Sequence, residues 1–236
     1  MTEFAGWFTG SIHCGAGLAI DDMCMPADFA CGNYGGFVEL DDRHIMVTIA
    51  DACGHGYQAA LILEAATATT AGQELDYISP AHELSQTSRL LIERQALSAG
   101  QFITAAVLCI DLKTLACRFA VAGHPHPVLL RDGHPEVIAC EGGLPLGIEA
   151  DIGATDCSVQ FRPGDTCILY TDGVSEARLP GGGLVEAPRA IRLLASAANE
   201  LDPASAMRQR LDELNPGNWQ DDDTTATFLR FDDTPH

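Results

Sequence analysis

Apolar and polar positions along this chain fall into short blocks whose period changes from two to about three and a half and back. Phe37 to Leu40 and His44 to Ala50 are β-rich runs on either side of Asp41-Asp42-Arg43, the pattern of a hairpin. Gly56 to about Ala71 follows as a predicted helix carrying Ala60, Leu61, Leu63 and Glu64. Ser79-Pro80 signals a second helix, an N-cap with proline at the first helical position, running to about Leu97 with Leu84, Leu90, Leu91 and Leu97 as its apolar stripe. Strand patterns then return at Phe102 to Ile110, Leu115 to Ala122 and Pro127 to Leu130, with turns at Asp111-Leu112-Lys113 and Asp132-Gly133. Thr155 to Phe161 and Thr166 to Thr171 flank the turn Arg162-Pro163-Gly164-Asp165. Two short helices near Pro188 to Asn199 and Pro203 to Leu214 precede a last strand, Thr224 to Phe231. Hairpin-connected strands interrupted by paired helices predict an α+β layering, antiparallel sheets covered by helices, rather than a parallel βαβ fold.

Composition narrows this picture. The 236 residues contain no repeat, low-complexity tract or linker, so one domain over residues 1–236 is expected, and 47% hydrophobic residues supply a substantial core. The longest apolar runs, such as Ile103 to Ile110, are too short to cross a bilayer. MTEFAGWFTG has no basic region ahead of an apolar stretch, so no secretory signal is expected, and the reading is a soluble, cytoplasmic protein. The 33 acidic residues against 13 basic ones give a formal net charge of −20, which disfavours nucleic acid and anionic membranes as partners. Lys113 is the only lysine. The nine cysteines are odd in number, show no C-x-x-C spacing, and include Cys109, Cys117 and Cys167 inside apolar strands, so buried free thiols are expected rather than disulfides or zinc.

The chemistry lies in the acids at strand ends. Asp51 closes the apolar run Ile45 to Ala50 and leads into Ala52-Cys53-Gly54-His55-Gly56; it could cap the following helix or hold a metal or phosphate. Asp172 repeats the arrangement after Cys167 to Thr171, and Asp221-Asp222-Asp223 precedes the final strand. If these acids converge, their repulsion requires a cation, and all-oxygen donors favour Mg²⁺ or Mn²⁺.

Seven segments in order resemble the motifs of PPM-type protein phosphatases, the phosphatase 2C superfamily, in their bacterial SpoIIE/RsbU-like branch. They are Cys31-Gly32-Asn33-Tyr34, Asp51 through Gly56, Ala122-Gly123-His124-Pro125, Gly143-Leu144-Pro145-Leu146-Gly147, Pro163-Gly164-Asp165, Tyr170-Thr171-Asp172-Gly173-Val174 and Asp221-Asp222-Asp223-Thr224. The resemblance spans about residues 27–231. It implies a four-layer sandwich, two antiparallel β-sheets packed together and flanked by helices on both outer faces. It also implies two Mn²⁺ or Mg²⁺ ions bridged by Asp51, with the Ala52 carbonyl and Asp172 as further ligands. Asp221 matches the C-terminal ligand, with Asp222 as the alternative register.

One position departs from the pattern: Asn33 stands where the family carries a metal-binding aspartate, so a weakened second metal site is expected. Three readings follow: a working enzyme with a looser second metal, one that recruits a nearby acid such as Asp28, or a catalytically dead relative.

The implied reaction is hydrolysis of phosphoserine or phosphothreonine by direct attack of a metal-bridging hydroxide. The implied substrate is a phosphorylated STAS-type anti-sigma-factor antagonist in a bacterial partner-switching pathway. His55 could protonate the leaving alkoxide or simply pack in its turn; His124 reads as structural. Cys53 lacks a C-x₅-R loop and reads as a packing residue. No arginine precedes Arg43, so the metals are expected to hold the phosphate. The rival classes are a pseudophosphatase that binds phosphoproteins without turnover, supported by Asn33, and a nucleotide hydrolase, which lacks the expected G-x-x-x-x-G-K-[ST] loop.

Overall fold

A computed structural model of the chain describes residues 10–14, 17–70 and 79–232. The strands are β1 (Gly10–Cys14), β2 (Leu18–Met25), β3 (Asn33–Glu39), β4 (His44–Ala52), β5 (Ile103–Asp111), β6 (Ala116–Ala122), β7 (Val128–Arg131), β8 (His134–Val137), β9 (Cys157–Gln160), β10 (Thr166–Tyr170) and β11 (Thr224–Phe231). The helices are α1 (Gly56–Thr70), α2 (Pro80–Glu93), α3 (Asp172–Ser175), α4 (Ala187–Ala198) and α5 (Pro203–Leu214). Among the described residues no helix is long and apolar enough to cross a membrane.

Among the described residues the named strands pair antiparallel, in a six-stranded sheet of order β1-β2-β11-β10-β7-β8 and a five-stranded sheet of order β3-β4-β5-β6-β9. Three apolar clusters fill the three spaces between four layers. Ile20, Val47, Ile49, Leu108, Phe119, Leu169 and Leu229 interdigitate between the sheets. Alternate residues of the five-stranded sheet, Met46, Ala50, Ala105 and Val107, face outward onto α1 and α2 through Leu63, Leu84 and Leu91. On the opposite side Ile168, Tyr170 and Phe228 face α4 and α5 through Leu194, Met207 and Leu211. Period-two strands with both faces buried produce this layering, and the expected helix-covered sandwich is what the chain forms.

Several boundaries differ from those the sequence predicts. The Ser79 side chain does cap α2, accepting from the His82 N–H at 3.1 Å, but the helix ends at Glu93, short of Leu97. Gln95 takes a left-handed φ of 51° and the Ala96 N–H turns back to the Leu91 carbonyl, which closes the last turn. The expected end of α1 at Ala71 lies outside the described residues.

The first hairpin begins at Asn33 rather than Phe37, because Asn33-Tyr34-Gly35-Gly36 has the composition of a turn yet pairs as a strand. At Gly35 a Cβ would stand 2.7 Å from Asp22 Oδ1 across the sandwich, so a larger residue there would have to push the buried Asp22 carboxyl aside.

β2 is masked in the sequence because Asp21-Asp22 interrupts it. Both acids are nevertheless buried: Asp21 receives the Arg230 Nε at 2.8 Å, and Asp22 receives the Thr227 hydroxyl. β1, β8 and α3 likewise go beyond the predicted elements.

The cysteine expectation needs correction. Cys140 and Cys157 form a disulfide with Cα atoms 5.9 Å apart, joining the segment after β8 to the start of β9. Their separation of 17 residues carries no spacing signal; the sandwich brings them together. The other described cysteines lie outside any disulfide, with Cys14, Cys109, Cys117 and Cys167 buried.

Candidate metal centre

Strand alternation places the site. On β4 the interior-facing positions run Ile45, Val47, Ile49 and then Asp51, so the last residue of an apolar row is a carboxylate. Register puts Asn33 of β3 and Thr104 of β5 directly beside Asp51, making one polar row across three strands. The facing sheet changes character in the same direction. On β2 and β11 the paired interior rows Leu18/Phe231 and Ile20/Leu229 give way to Asp22/Thr227 and Cys24/Thr225. The sandwich is thus apolar at one end and polar at the other, where three connections between elements deliver acids.

A single hydroxyl ties the two sheets together at that end. Thr171 Oγ1, between β10 and α3, accepts from the Thr225 N–H at 3.0 Å and from Asn33 Nδ2 at 2.9 Å. Asn33 Nδ2 also donates to the Asp223 carbonyl at 2.9 Å, leaving Asn33 Oδ1 buried without a partner. The Asp223 carboxylate accepts from the N–H groups of Ala27 and Gly32, and the Gly32 carbonyl accepts from the Ala52 N–H at 2.9 Å. Asp223 is therefore a structural clamp on the segment before β3. At Gly173 a Cβ would lie 2.3 Å from the Asp223 carbonyl oxygen, so only glycine permits α3 to start beside this clamp.

Asp51, Asp172 and Asp222 converge from β4, α3 and the approach to β11. Burial, reinforced by the adjacent Asp172 carboxyl and then by Asp222 and Asp223, pushes the Asp51 carboxyl up to about 9. Asp222 is raised for similar reasons, burial first, with Asp172 and Asp223 adding and nearby His55 opposing. Asp221 does not join them. It pairs with Arg178 on the exposed rim, while Asp222, the alternative register for the C-terminal acid, is the one that acts on Asp51.

Two oxygens in this cluster are buried with no hydrogen-bond partner, Asp172 Oδ1 and Asn33 Oδ1. Orphaned acceptors beside mutually repelling carboxylates are a donor set suited to a hard divalent cation. Among the described residues, no three acidic, His or Cys side chains already stand close enough to hold an ion, and Asp222 Oδ1 is turned onto the Asp223 N–H at 2.8 Å. A cation held by all three carboxylates would require side-chain rotation, notably of Asp222.

The remaining candidates fall as follows. His55 is exposed in the turn after Asp51 and within electrostatic reach of Asp222. Ala52 follows Asp51 with its side chain buried. Asp28 is exposed, with its carboxylate 3.3 Å from where a Gly56 Cβ would stand, and it is not among the acids that perturb Asp51. Cys53 Sγ accepts from the Phe102 N–H at 3.3 Å. His124 is buried, its Nδ1 2.8 Å from Thr104 Oγ1, and burial lowers its pKa to about 3, which keeps the ring neutral. Sequence reasoning gave no role to Thr171 or Asp223; a Thr-Asp-Gly string and the third of three aspartates offered no signal beyond their motifs.

Two layers of helix around two antiparallel sheets, with acids from three connections meeting at one end, define a phosphatase 2C-type (PPM) fold. Residues 41–232 match the family described as Stage II sporulation protein E (SpoIIE), and the chain belongs to that family. The match includes Asp51, Asp172 and Asp222 and begins after Asn33. Among its relatives in Bacillus subtilis strain 168, phosphoserine phosphatase RsbU is 29% identical over 168 residues, covering 71% of this chain and 49% of RsbU. Phosphoserine phosphatase RsbP is 25% identical over 161 residues, covering 67% of this chain and 40% of RsbP. The chain thus spans half or less of these curated relatives. Of solved structures, the SiaA-PP2C domain of Pseudomonas aeruginosa superposes with a TM-score of 0.76 at 24% identity, covering 90% of this chain and 86% of that one.

Proposed function

We propose that this chain hydrolyses phosphoserine or phosphothreonine in a regulatory protein, with Mn²⁺ or Mg²⁺ held by Asp51, Asp172 and Asp222. The observation that carries this reading is the convergence of those three carboxylates beside two buried, unpartnered oxygens. When bound, the metal supplies Lewis acidity toward phosphoryl oxygens and lowers the pKa of water. The chain's own part is positional. Asp51 is fixed by β4 between two paired strands, and Asp172 by the Thr171 hydroxyl that binds both sheets. Asn33 contributes a neutral oxygen, and the Ala52 carbonyl a further one. The carboxylates around Asp51 repel a phosphate on their own, so phosphate retention is assigned to the metal. His55, exposed beside Asp222, is placed to give a proton to the departing serine or threonine oxygen. Two relatives named phosphoserine phosphatases, RsbU and RsbP, support a phosphoserine protein as substrate, and the candidate we put forward is a phosphorylated STAS-type antagonist.

The test is hydrolysis of p-nitrophenyl phosphate across a Mn²⁺ titration, with Asp172→Asn as matched control. Turnover that needs Mn²⁺ and vanishes in the variant supports the proposal. Folded protein with no turnover on this ester or on a phosphorylated STAS protein sinks it.

One observation favours a second reading, a phosphoprotein-binding module without turnover: the Asn33 amide is spent on Thr171 and the Asp223 carbonyl. A carboxylate in its place would set two acceptors against each other. Asn33→Asp should therefore destabilise the metal-free protein by about 1–3 kcal/mol, and Mn²⁺ should restore the loss while binding more tightly than to the parent. Melting temperature against Mn²⁺ concentration reads both effects. Unchanged Mn²⁺ dependence would remove Asn33 from the metal site.

A further inference from the structure

Beside the acid cluster lies a pair of thiols that neither the fold nor the proposed reaction uses. Cys24 Sγ and Cys31 Sγ stand 3.0 Å apart, both partly buried. Cys24 is on the interior face of β2, paired in register with Thr225. Cys31 immediately precedes Gly32 and Asn33, so the two sulfurs close the base of the loop that Asp223 grips through the N–H groups of Ala27 and Gly32.

We propose that Cys24 and Cys31 form a reversible dithiol–disulfide site that fixes this loop around Asp223 and thereby tunes metal binding. A disulfide needs sulfurs about 2.05 Å apart, so closure asks for a movement of roughly an ångström. The reaction is exchange with a small-molecule disulfide. One thiol loses its proton to solvent and its sulfur attacks the disulfide, breaking that S–S bond and releasing one thiol. The second cysteine, likewise deprotonated, then attacks the mixed disulfide and releases the other thiol. The chain loses two electrons and two protons; the small disulfide is reduced to two thiols.

The hydrogen bonds from Gly32, Ala27 and Asn33 to Asp223 are already made with both cysteines reduced, so the cross-link preserves the cradle and removes its freedom to open. The oxidised protein should melt about 5 °C higher and bind Mn²⁺ several-fold more tightly.

The chain is incubated in glutathione buffers of increasing oxidised fraction, alkylated, and cleaved after the fully exposed Phe29, which separates the two cysteines. A Cys24–Cys31 cross-link that reduction reverses, with higher melting temperature and tighter Mn²⁺ binding by calorimetry, is the expected result. Cys31→Ser and Cys24→Ser should each lose the melting and Mn²⁺ shifts that track the Cys24–Cys31 cross-link, keeping only what reduction of the Cys140–Cys157 bridge produces, while still melting cooperatively. Both thiols remaining alkylatable at every ratio overturns the proposal. So does a cross-link that leaves melting and Mn²⁺ affinity unchanged or lowers them. The Mn²⁺ arm rests on the metal site proposed above. Cross-linking and melting do not, so they test the thiols even in a chain without phosphatase activity.

Discussion

Asp51→Asn is expected to lower Mn²⁺-dependent hydrolysis of p-nitrophenyl phosphate by about a thousandfold or more, while the metal-free variant melts above its metal-free parent. The two effects share one cause. Burial of Asp51, together with Asp172, Asp222 and Asp223, makes its charge unfavourable until a cation joins it. Asparagine keeps the shape and one oxygen but removes the charge that draws the cation in. Losing activity while gaining stability is the mark of a residue retained for chemistry. A variant that loses activity because it unfolds, or that retains Mn²⁺-dependent turnover, would show that Asp51 has only a structural task.

The second large effect concerns stability alone. Asp22 is 3% exposed, between the sheets, with one oxygen bonded to Thr227 and the other unpartnered. Burial raises its carboxyl from 3.8 to about 7, the Thr227 bond opposing the rise. Because the folded value lies above the unfolded one, its contribution is fully present below pH 3.8 and is lost as pH rises through 7. Across that window the native chain holds a proton that the unfolded chain has released. Asp22→Asn removes the dependence. The variant's stability relative to the parent should grow by about 2–4 kcal/mol between pH 4 and pH 8, read by urea unfolding at several pH values. A difference that does not change with pH would mean that Asp22 keeps an ordinary carboxyl pKa.

How legible each part was follows from where its partners lie in sequence. The closing strand, Thr224–Phe231, was readable residue for residue although its partner β2 is distant, because its apolar and β-branched run is bounded by aspartates on both sides. β2 was not, because Arg230 and Thr227, which make Asp21 and Asp22 tolerable inside, lie more than 200 residues away. Asp51 and Asp172 stood out at the ends of apolar runs. The choice between Asp221 and Asp222 could not be made from three identical neighbours, since only the fold brings Arg178 to one and Asp51 toward the other. The Cys140–Cys157 bridge was hidden likewise, its halves adjacent only after the sheets pack.

The end of the sandwich remote from the acids is closed by Phe161 stacked on Phe231, ring centroids 4.5 Å apart, and by the Gly164 N–H and Asp165 carbonyl bonded to the Phe231 backbone. A body latched with aromatic rings at one end and lined with carboxylates, hydroxyls and thiols at the other is unequally compliant. Solvent should enter from the polar mouth, so amide exchange along β2 and β11 should quicken from Leu18 and Phe231 toward Met25 and Thr224. The same gradient would let ions and a bulky phosphoprotein reach the acids without loosening the layers that hold them in place.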